Sequence, residues 1–347
     1  MNTYFVAICC FVYFFLIPSR LEAQHVKNSK SFKYADSCYA RSIAVKDSFA
    51  YTANSNGKIY RTNLNTSVSN ILTGRQSFKE LRDCHIQDNN IIALQSNPNN
   101  GVLIMASDLG CVRCSIPLVN LLNVFLDGMD IKNGFGFIMG DPVKMNDDTT
   151  KMKFVLLNTE NGGTNWKIIN TVLEAYEGEA AFAASGTNVQ VLNDSTYCFV
   201  SGGLKSRFFK STDKGKTWIY ATLRYPSAPS CGANSIYMFD EKNGVIVGGD
   251  YLQPDKNETI CFYTIDGGLS WNSSKNQPRG YRSCVIEVNS ILYTCGDNGI
   301  DYSDDLGKTW KSFADGRFFS LCSDGLYIYA TCPKGRFELF NVIAPKD

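Results

Sequence analysis

Short apolar stretches separated by turns recur along most of this chain. Residues 283–288 and 291–295 alternate or run apolar on either side of the dipeptide Asn289-Ser290, a pattern typical of two antiparallel strands. Further short stretches at 299–302 and 308–313 complete a unit of four strands. Four such strands form one blade of a β-propeller. Long segments with a 3.6-residue period are almost absent, which argues against α/β barrels and helical solenoids.

Comparable units recur along the chain, and they predict an all-β fold, a seven-bladed β-propeller. The innermost strands are expected to start near Arg41, Arg82, Asp127, Glu179, Ala233, Arg282 and Phe318. The last unit is one strand short. We expect residues 31–34 to supply that strand and close the ring, because closure removes exposed sheet edges. Six blades remain an alternative if the first or last unit is not a true sheet.

A turn motif, S/T-x-D-x-G-x-S/T-W, lies inside several units. Copies span 211–218, 264–271 and 303–310, and a worn copy at 159–166 has asparagine in place of the aspartate. These segments contain all four tryptophans of the chain. Aspartate accepts hydrogen bonds from the turn, glycine supplies a positive φ, and tryptophan starts the next strand. The predicted structural residues are Asn161, Trp166, Asp213, Trp218, Asp266, Trp271, Asp305 and Trp310.

This motif resembles the Asp-box, or bacterial neuraminidase repeat, which in its families joins the third and fourth strands of a propeller blade. Further segments are similar to secreted bacterial repeat proteins labelled photosystem-assembly-factor-like or, loosely, "oxidoreductase": 125–128, 139–142, 178–186, 209–213, 248–251, 280–283 and 299–302. The resemblance implies a propeller and little about activity. No G-x-G-x-x-G strand–turn–helix unit and no haem-attachment motif occurs, so we predict no cofactor.

The first 23 residues differ from the rest. The apolar run at 4–17 is about as long as the core of a signal peptide, and Leu21-Glu22-Ala23 suits cleavage after Ala23. We expect a signal peptide at 1–23 and one propeller domain at 24–347. An uncleaved anchor is the alternative, because the positive charge ahead of the run is weak. No other stretch has the roughly 20 apolar residues that a membrane span needs.

Two further features favour a secreted, extracellular protein. Glycosylation sequons begin at Asn65, Asn193, Asn257 and Asn272. Cysteine is abundant, since 13 are present and 11 remain once Cys9 and Cys10 leave with the signal peptide. Cys284 lies opposite Cys295 across a two-residue turn, so this pair is the predicted disulfide.

Charge argues against nucleic acid as a partner, because the formal net charge is only +1. In the predicted alignment Arg41, Arg82 and Arg282 share the start of an innermost strand, at the top of the central channel. Arg317 lies close to them, and Asp127, Glu179, Asp250 and Tyr281 complete the predicted rim. We predict that this face binds an anionic ligand on a glycan or extracellular protein through guanidinium groups. The alternative is that the arginines only pair with acids of adjacent blades.

Catalysis has less support from the sequence. A sialidase-like site could use Tyr281, Glu179 and Asp127, but the F/Y-R-I-P motif of sialidases is missing. With His25 and His85 as the only histidines, a histidine triad or metal site has little material, and we predict no metal. The leading prediction is a secreted, non-catalytic binding or scaffold propeller. The alternative is a sialidase-like, glycan-active hydrolase that uses the same face.

Overall fold

The computed structural model describes residues 30–74, 78–96, 102–107, 112–117, 124–145 and 147–343. The predicted signal peptide lies outside the described residues. Within them the chain forms strands and no helix, and so contains no helix that could cross a membrane.

The strands form seven antiparallel sheets. The first strand is β1 (Lys30–Lys33). Blade 1 contains β2 (Ala40–Lys46), β3 (Phe49–Asn54), β4 (Ile59–Asn63) and β5 (Ser69–Ile71). Blade 2 contains β6 (Leu81–Gln87), β7 (Asn90–Gln95), β8 (Val102–Ser107) and β9 (Val112–Pro117). Blade 3 contains β10 (Leu126–Lys132), β11 (Phe135–Lys144), β12 (Met152–Thr159), β13 (Lys167–Ile168) and the short β14 (Glu174–Ala175).

Blade 4 contains β16 (Val189–Val191), β17 (Tyr197–Val200), β19 (Arg207–Ser211) and β20 (Ile219–Thr222). Two short strands in the same stretch of chain, β15 (Glu179–Ala180) and β18 (Gly202–Gly203), lie outside this sheet. Blade 5 contains β21 (Cys231–Met238), β22 (Gly244–Asp250), β23 (Cys261–Thr264) and β24 (Asn272–Ser273). Blade 6 contains β25 (Cys284–Val288), β26 (Ile291–Gly296), β27 (Gly299–Ser303) and β28 (Lys311–Ala314). Blade 7 contains β29 (Leu321–Ser323), β30 (Tyr327–Cys332) and β31 (Arg336–Asn341).

The seven-bladed prediction is confirmed. Innermost strands of consecutive blades contact one another around the ring, and β29 of blade 7 contacts β2 of blade 1. The expected closing strand is β1, which pairs with β31 from Lys30↔Leu339 to Lys33↔Arg336. Phe32 of β1 stacks on Phe337 with ring centroids 4.8 Å apart. Closure therefore joins the two ends of the described chain in one sheet.

Aromatic side chains fill the space between blades. Trp218 follows the third strand of blade 4 and packs against Phe137 of blade 3, with ring centroids 5.8 Å apart. In the next blade Trp271 packs against Phe208 of blade 4 at 5.1 Å. Buried aromatic side chains carry large apolar areas, so these wedges stabilise the radial packing.

The aspartate turns lie between the third and fourth strands of blades 3 to 6. In blade 4, Asp213 accepts hydrogen bonds from the N–H and hydroxyl of Thr217 at 2.8 and 2.7 Å. These bonds lower the pKa of Asp213 to about 2. Gly215 has φ +84°, which favours glycine. The turns of Asp266 and Asp305 repeat these bonds, and Asn161 accepts the N–H of Asn165 at 2.9 Å.

Blade 4 differs from the prediction in where it begins. Its innermost strand starts at Val189, not near Glu179. Glu179 lies on β15, which pairs with β18 and extends the sheet of blade 5. Periodicity could not reveal this, because residues 181–187 leave the strand pattern before the blade starts.

Candidate functional site

Four innermost strands carry a β-bulge near their first residue. The register shifts at Arg41 in blade 1, Arg82 in blade 2, Asp127 in blade 3 and Asn234 in blade 5. A bulge places an extra residue on one strand and re-aims its side chain. All four side chains line one cavity at this end of the channel.

This upper cavity has a volume of about 490 Å³. The structure brings Arg41, Arg82, Arg317, Asp127 and Tyr281 of the predicted rim together there. Phe125, Phe182, Tyr251 and Phe319 supply apolar walls. A concave site with few polar groups on apolar walls is the usual form of a small-ligand pocket.

Arg41 and Arg82 retain unused hydrogen-bonding capacity. The Arg41 guanidinium lies 4.9 Å from the ring centroid of Phe319, and among the described residues no carboxylate pairs with it. Arg82 pairs with Glu80 at 3.0 Å and donates to the carbonyl of Ala183 at 3.1 Å. The Nε–H groups of both arginines are buried without a partner among the described residues. Such groups are costly unless a ligand or water satisfies them.

Arg317 and Tyr281 contribute differently. Arg317 is largely exposed at the cavity edge and pairs with Asp297 at 3.0 Å. Tyr281 is buried, and its hydroxyl donates to Asn234 at 3.2 Å. Burial raises the pKa of Tyr281, which keeps the phenol neutral.

Two carboxyl groups, Asp127 and Asp141, lie on the blade 3 side of the cavity. Asp127 is only 1% exposed, and its Oδ2 has no partner among the described residues. Burial raises the pKa of Asp127 well above its ordinary value, Asp141 raises it further, and Arg82 lowers it. Burial also raises the pKa of Asp141, whose Oδ1 accepts the N–H of Ala181 at 3.0 Å.

The floor of the cavity is a segment that crosses the channel, residues 181–187. Its Ala183 carbonyl bonds Arg82 of blade 2, its Ser185 hydroxyl donates to the Ser283 carbonyl beside blade 6 at 2.7 Å, and its Thr187 hydroxyl bonds Ser235 of blade 5 at 2.6 Å. Gly186 has φ +79°, and a Cβ there would lie 2.3 Å from the Asp83 carboxyl group. This crossing segment separates the upper cavity from a lower one.

Arg282 does not belong to the upper cavity, which corrects the predicted arc. The side chain is fully buried and pairs with the equally buried Asp301. Its Nη2 also donates to the carbonyl of Arg279 at 2.6 Å. Ser283, the next residue, lines the cavity instead. Arg282 is therefore held by a structural ion pair, but with an acid of its own blade and not, as the alternative expected, with an acid of an adjacent blade.

Glu179 and Asp250 also lie outside the upper cavity, contrary to the prediction. Glu179 is buried, and both its oxygens accept from Arg207, at 2.8 and 2.6 Å. Asp250 accepts from Leu252 and Gln253 at 3.0 Å each and holds the loop after β22. Neither residue lines the cavity. The Tyr281, Glu179 and Asp127 trio of a sialidase-like site is not assembled.

The lower cavity, about 420 Å³, lies beneath the crossing segment and is lined by inner-strand residues of all seven blades. His85 is held there between Asp83 and Asp130, with each nitrogen 3.7 Å from a carboxylate oxygen. Burial lowers the pKa of His85, but both carboxylates outweigh burial and raise it to about 9. His85 therefore lies between an acid of its own blade and one of blade 3, a setting that favours its protonated form. Among the described residues no group of three potential ligands could hold a metal ion.

Cys284 and Cys295 are register partners, as expected. Both are free thiols in this structure, as are the seven other cysteines whose side chains are described, so the predicted disulfide is not present. The pairing of β25 with β26 places the two cysteines opposite each other without a disulfide bond between them. The four sequon asparagines, Asn65, Asn193, Asn257 and Asn272, are all exposed.

Sequence reasoning missed Asn234, Phe125 and Phe182. A signal for Asn234 existed, because in blades 1, 2, 3 and 5 the bulged polar residue precedes Ser42, Asp83, Gly128 and Ser235, which are small or polar. Aligning blade 5 on Ala233 placed its inner position one residue early. Phe182 belongs to the crossing segment, which no strand period predicts.

Fold and site together define a seven-bladed propeller with a polar cavity on its channel axis. Some polar groups of that cavity lack a hydrogen-bond or ion-pair partner among the described residues. No family model matches the sequence, and no curated protein matches it. Solved structures resemble it in fold. YCF48 bound to D1 peptide has a TM-score of 0.59 and 13% identity over 90% of this chain and 97% of that one. U3-55K has a TM-score of 0.62 and 8% identity over 91% of this chain and 100% of that one.

A glycoside hydrolase is among the similar structures. The GH74 xyloglucanase from Xanthomonas campestris has a TM-score of 0.60 and 10% identity over 90% of this chain. The match covers 53% of the xyloglucanase, so this chain corresponds to about half of that protein. At these identities the likeness concerns the fold alone.

Proposed function

We propose that this protein is a secreted, non-catalytic binding or scaffold propeller that takes an anionic group of a glycan or extracellular protein into its upper cavity. The single observation that carries the proposal is that Arg41 and Arg82 both line the upper cavity with a buried, unpartnered Nε–H group, whereas Arg282, which has the same unpartnered group, lies outside the cavity. Guanidinium groups match carboxylate, phosphate and sulfate geometry, and an anion between them would satisfy both donors.

The surroundings of the two arginines support this role. Arg41 lies over Phe319 and Arg82 lies 5.8 Å from the ring centroid of Phe125, so both side chains are positioned before a ligand arrives. Among the similar folds, YCF48 was solved with a bound peptide, which shows that such a propeller can serve recognition. Secretion is part of the proposal and is supported by the leader pattern and the exposed sequons.

Retention on a heparin column tests the proposal. The double variant R41A/R82A is expected to elute at markedly lower salt than the wild type, because both cavity cations are lost. The matched control K216A/K308A removes the same charge from two exposed residues of the aspartate turns and should elute near the wild type. Equal elution of the two double variants would end the proposal.

A glycan-active hydrolase is the second candidate. It is favoured by Asp127 and Asp141, two carboxyl groups with raised pKa in one cavity. Most retaining and inverting glycosidases use a carboxyl pair, whereas sialidases use a tyrosine nucleophile. Turnover of a fluorogenic sialoside or xyloglucan that D127N and D141N each abolish would replace the binding proposal with this one.

A further inference from the structure

Asp127 is a buried carboxyl group with one oxygen left over. Its bulge position turns it to the upper cavity, its side chain is buried, and Oδ2 makes no hydrogen bond among the described residues. Asp301 is equally buried, yet both its oxygens accept bonds from Arg279. Buried polar atoms are normally satisfied, so the orphaned oxygen of Asp127 points to a missing partner.

The groups that face Asp127 decide what that partner is. Asp141 faces it from the second strand of blade 3, and Arg82 approaches from blade 2 while Glu80 holds the other side of that guanidinium. Burial raises the pKa of Asp127 and the second carboxyl raises it further, which favours the protonated form. A protonated carboxyl group both donates and accepts, as a hydroxyl group does.

The rest of the cavity adds two requirements. The unpartnered Nε–H groups of Arg41 and Arg82 call for an anion. Phe125, Phe182 and Tyr251 present apolar surface, and Tyr251 is 47% exposed. One small unit that combines a carboxylate, ring hydroxyl groups and apolar ring faces is a uronic acid.

Resting on the proposed function, we propose that the upper cavity binds a uronic acid residue of an acidic glycan, with its carboxylate at Arg41 and Arg82 and a ring hydroxyl at Asp127. The crossing segment closes the floor, so the sugar enters from the top face. A peptide carries its polar groups along an extended backbone and usually pairs them with a strand edge or groove. In this cavity Arg41, Arg82 and Asp127 present side-chain polar groups instead.

Binding of tetragalacturonic acid tests the inference against two probes that each change one property. Its methyl ester keeps the hydroxyl groups and loses the charge, and tetraglutamate keeps side-chain carboxylates and loses the sugar rings. Calorimetry should show tetragalacturonic acid binding at least about tenfold more tightly than either, a difference of about 1.4 kcal/mol. D127A should weaken it at least fivefold, and D127N, which keeps a donor and an acceptor, less than threefold.

The pH profile adds a readout that a merely structural aspartate would not give. Wild-type affinity should fall as pH rises and Asp127 ionises, because its charge then repels the sugar carboxylate, whereas D127N should show a clearly smaller fall, since only Asp141 is left to ionise in the cavity. If tetraglutamate binds as tightly as the sugar and depends equally on Arg41 and Arg82, the inference of a uronic acid ligand is wrong. The proposed function would then still stand. Failure of every anion to bind would overturn both. D127N is close to isosteric, so the pH comparison stands even if D127A does not fold.

Discussion

Arg282 and Arg41 were expected to share one position, yet they differ in what surrounds them. Arg282 is fully buried and its charge is matched by Asp301. Arg41 reaches the cavity, rests on aromatic rings and has no carboxylate partner among the described residues. A buried charge that is paired supports the fold, whereas a cation that lines a cavity without a counter-ion is free to take an anionic ligand. The same contrast separates Asp301 from Asp127.

Breaking the buried Arg282–Asp301 ion pair should have the largest effect on the free energy of unfolding. Asp301→Asn leaves the Arg282 guanidinium buried without its counter-ion, and we expect the free energy of unfolding to fall by about 3–5 kcal/mol in a denaturant titration. Asp315→Asn is the matched control, because Asp315 is 73% exposed and pairs with the outer side of Arg279. Equal, small losses in both variants would mean that the buried pair is not structural.

A smaller loss is expected at the second buried pair. Arg207 bonds both oxygens of Glu179 through Nε and Nη2, a fork that lysine cannot reproduce. Arg207→Lys should lower the free energy of unfolding by about 1–3 kcal/mol. A variant as stable as the wild type would show that charge alone suffices at this position.

Replacing Asp127 should have the opposite effect and raise the free energy of unfolding. Asp127 has a raised pKa when folded, so stability is full below its unfolded pKa of about 3.8 and is lost as pH rises through the folded pKa. Asp127→Asn removes that loss and should raise the free energy of unfolding at pH 8 by about 1 kcal/mol or more, since each pKa unit corresponds to about 1.4 kcal/mol. Measuring both proteins at pH 4 and pH 8 checks this. Destabilisation of the variant at pH 8 would contradict it.

The smallest effect is expected at the rim. Arg317 is 59% exposed, and its pair with Asp297 is open to solvent. Arg317→Ala should change the free energy of unfolding by less than about 1 kcal/mol. A larger loss would place Arg317 with the structural arginines.

The fold was predictable because its signals are local. Each aspartate turn spans eight residues, and the turn Asn289-Ser290 fixed the pairing of β25 with β26. The closing strand could be expected because the last unit was one strand short. Arg41, Arg82 and Asp127 were found because each lies one residue inside the start of a strand whose period was clear.

The rest of the site depends on partners distant in sequence. Arg207 lies 28 residues from Glu179, and Arg282 lies 19 residues from Asp301. No local pattern tells a paired arginine from an unpaired one. The crossing segment has no strand period, so the sequence also concealed both the cavity floor and the true start of blade 4.

Arginine Nε–H signals in a ¹H–¹⁵N spectrum test the central claim most directly. During titration with a heparin tetrasaccharide, we predict that the signals of Arg41 and Arg82 shift together while those of Arg207 and Arg282 do not move. Shifts confined to other arginines, with Arg41 and Arg82 unchanged at saturation, would contradict the assignment of the upper cavity as the anion site.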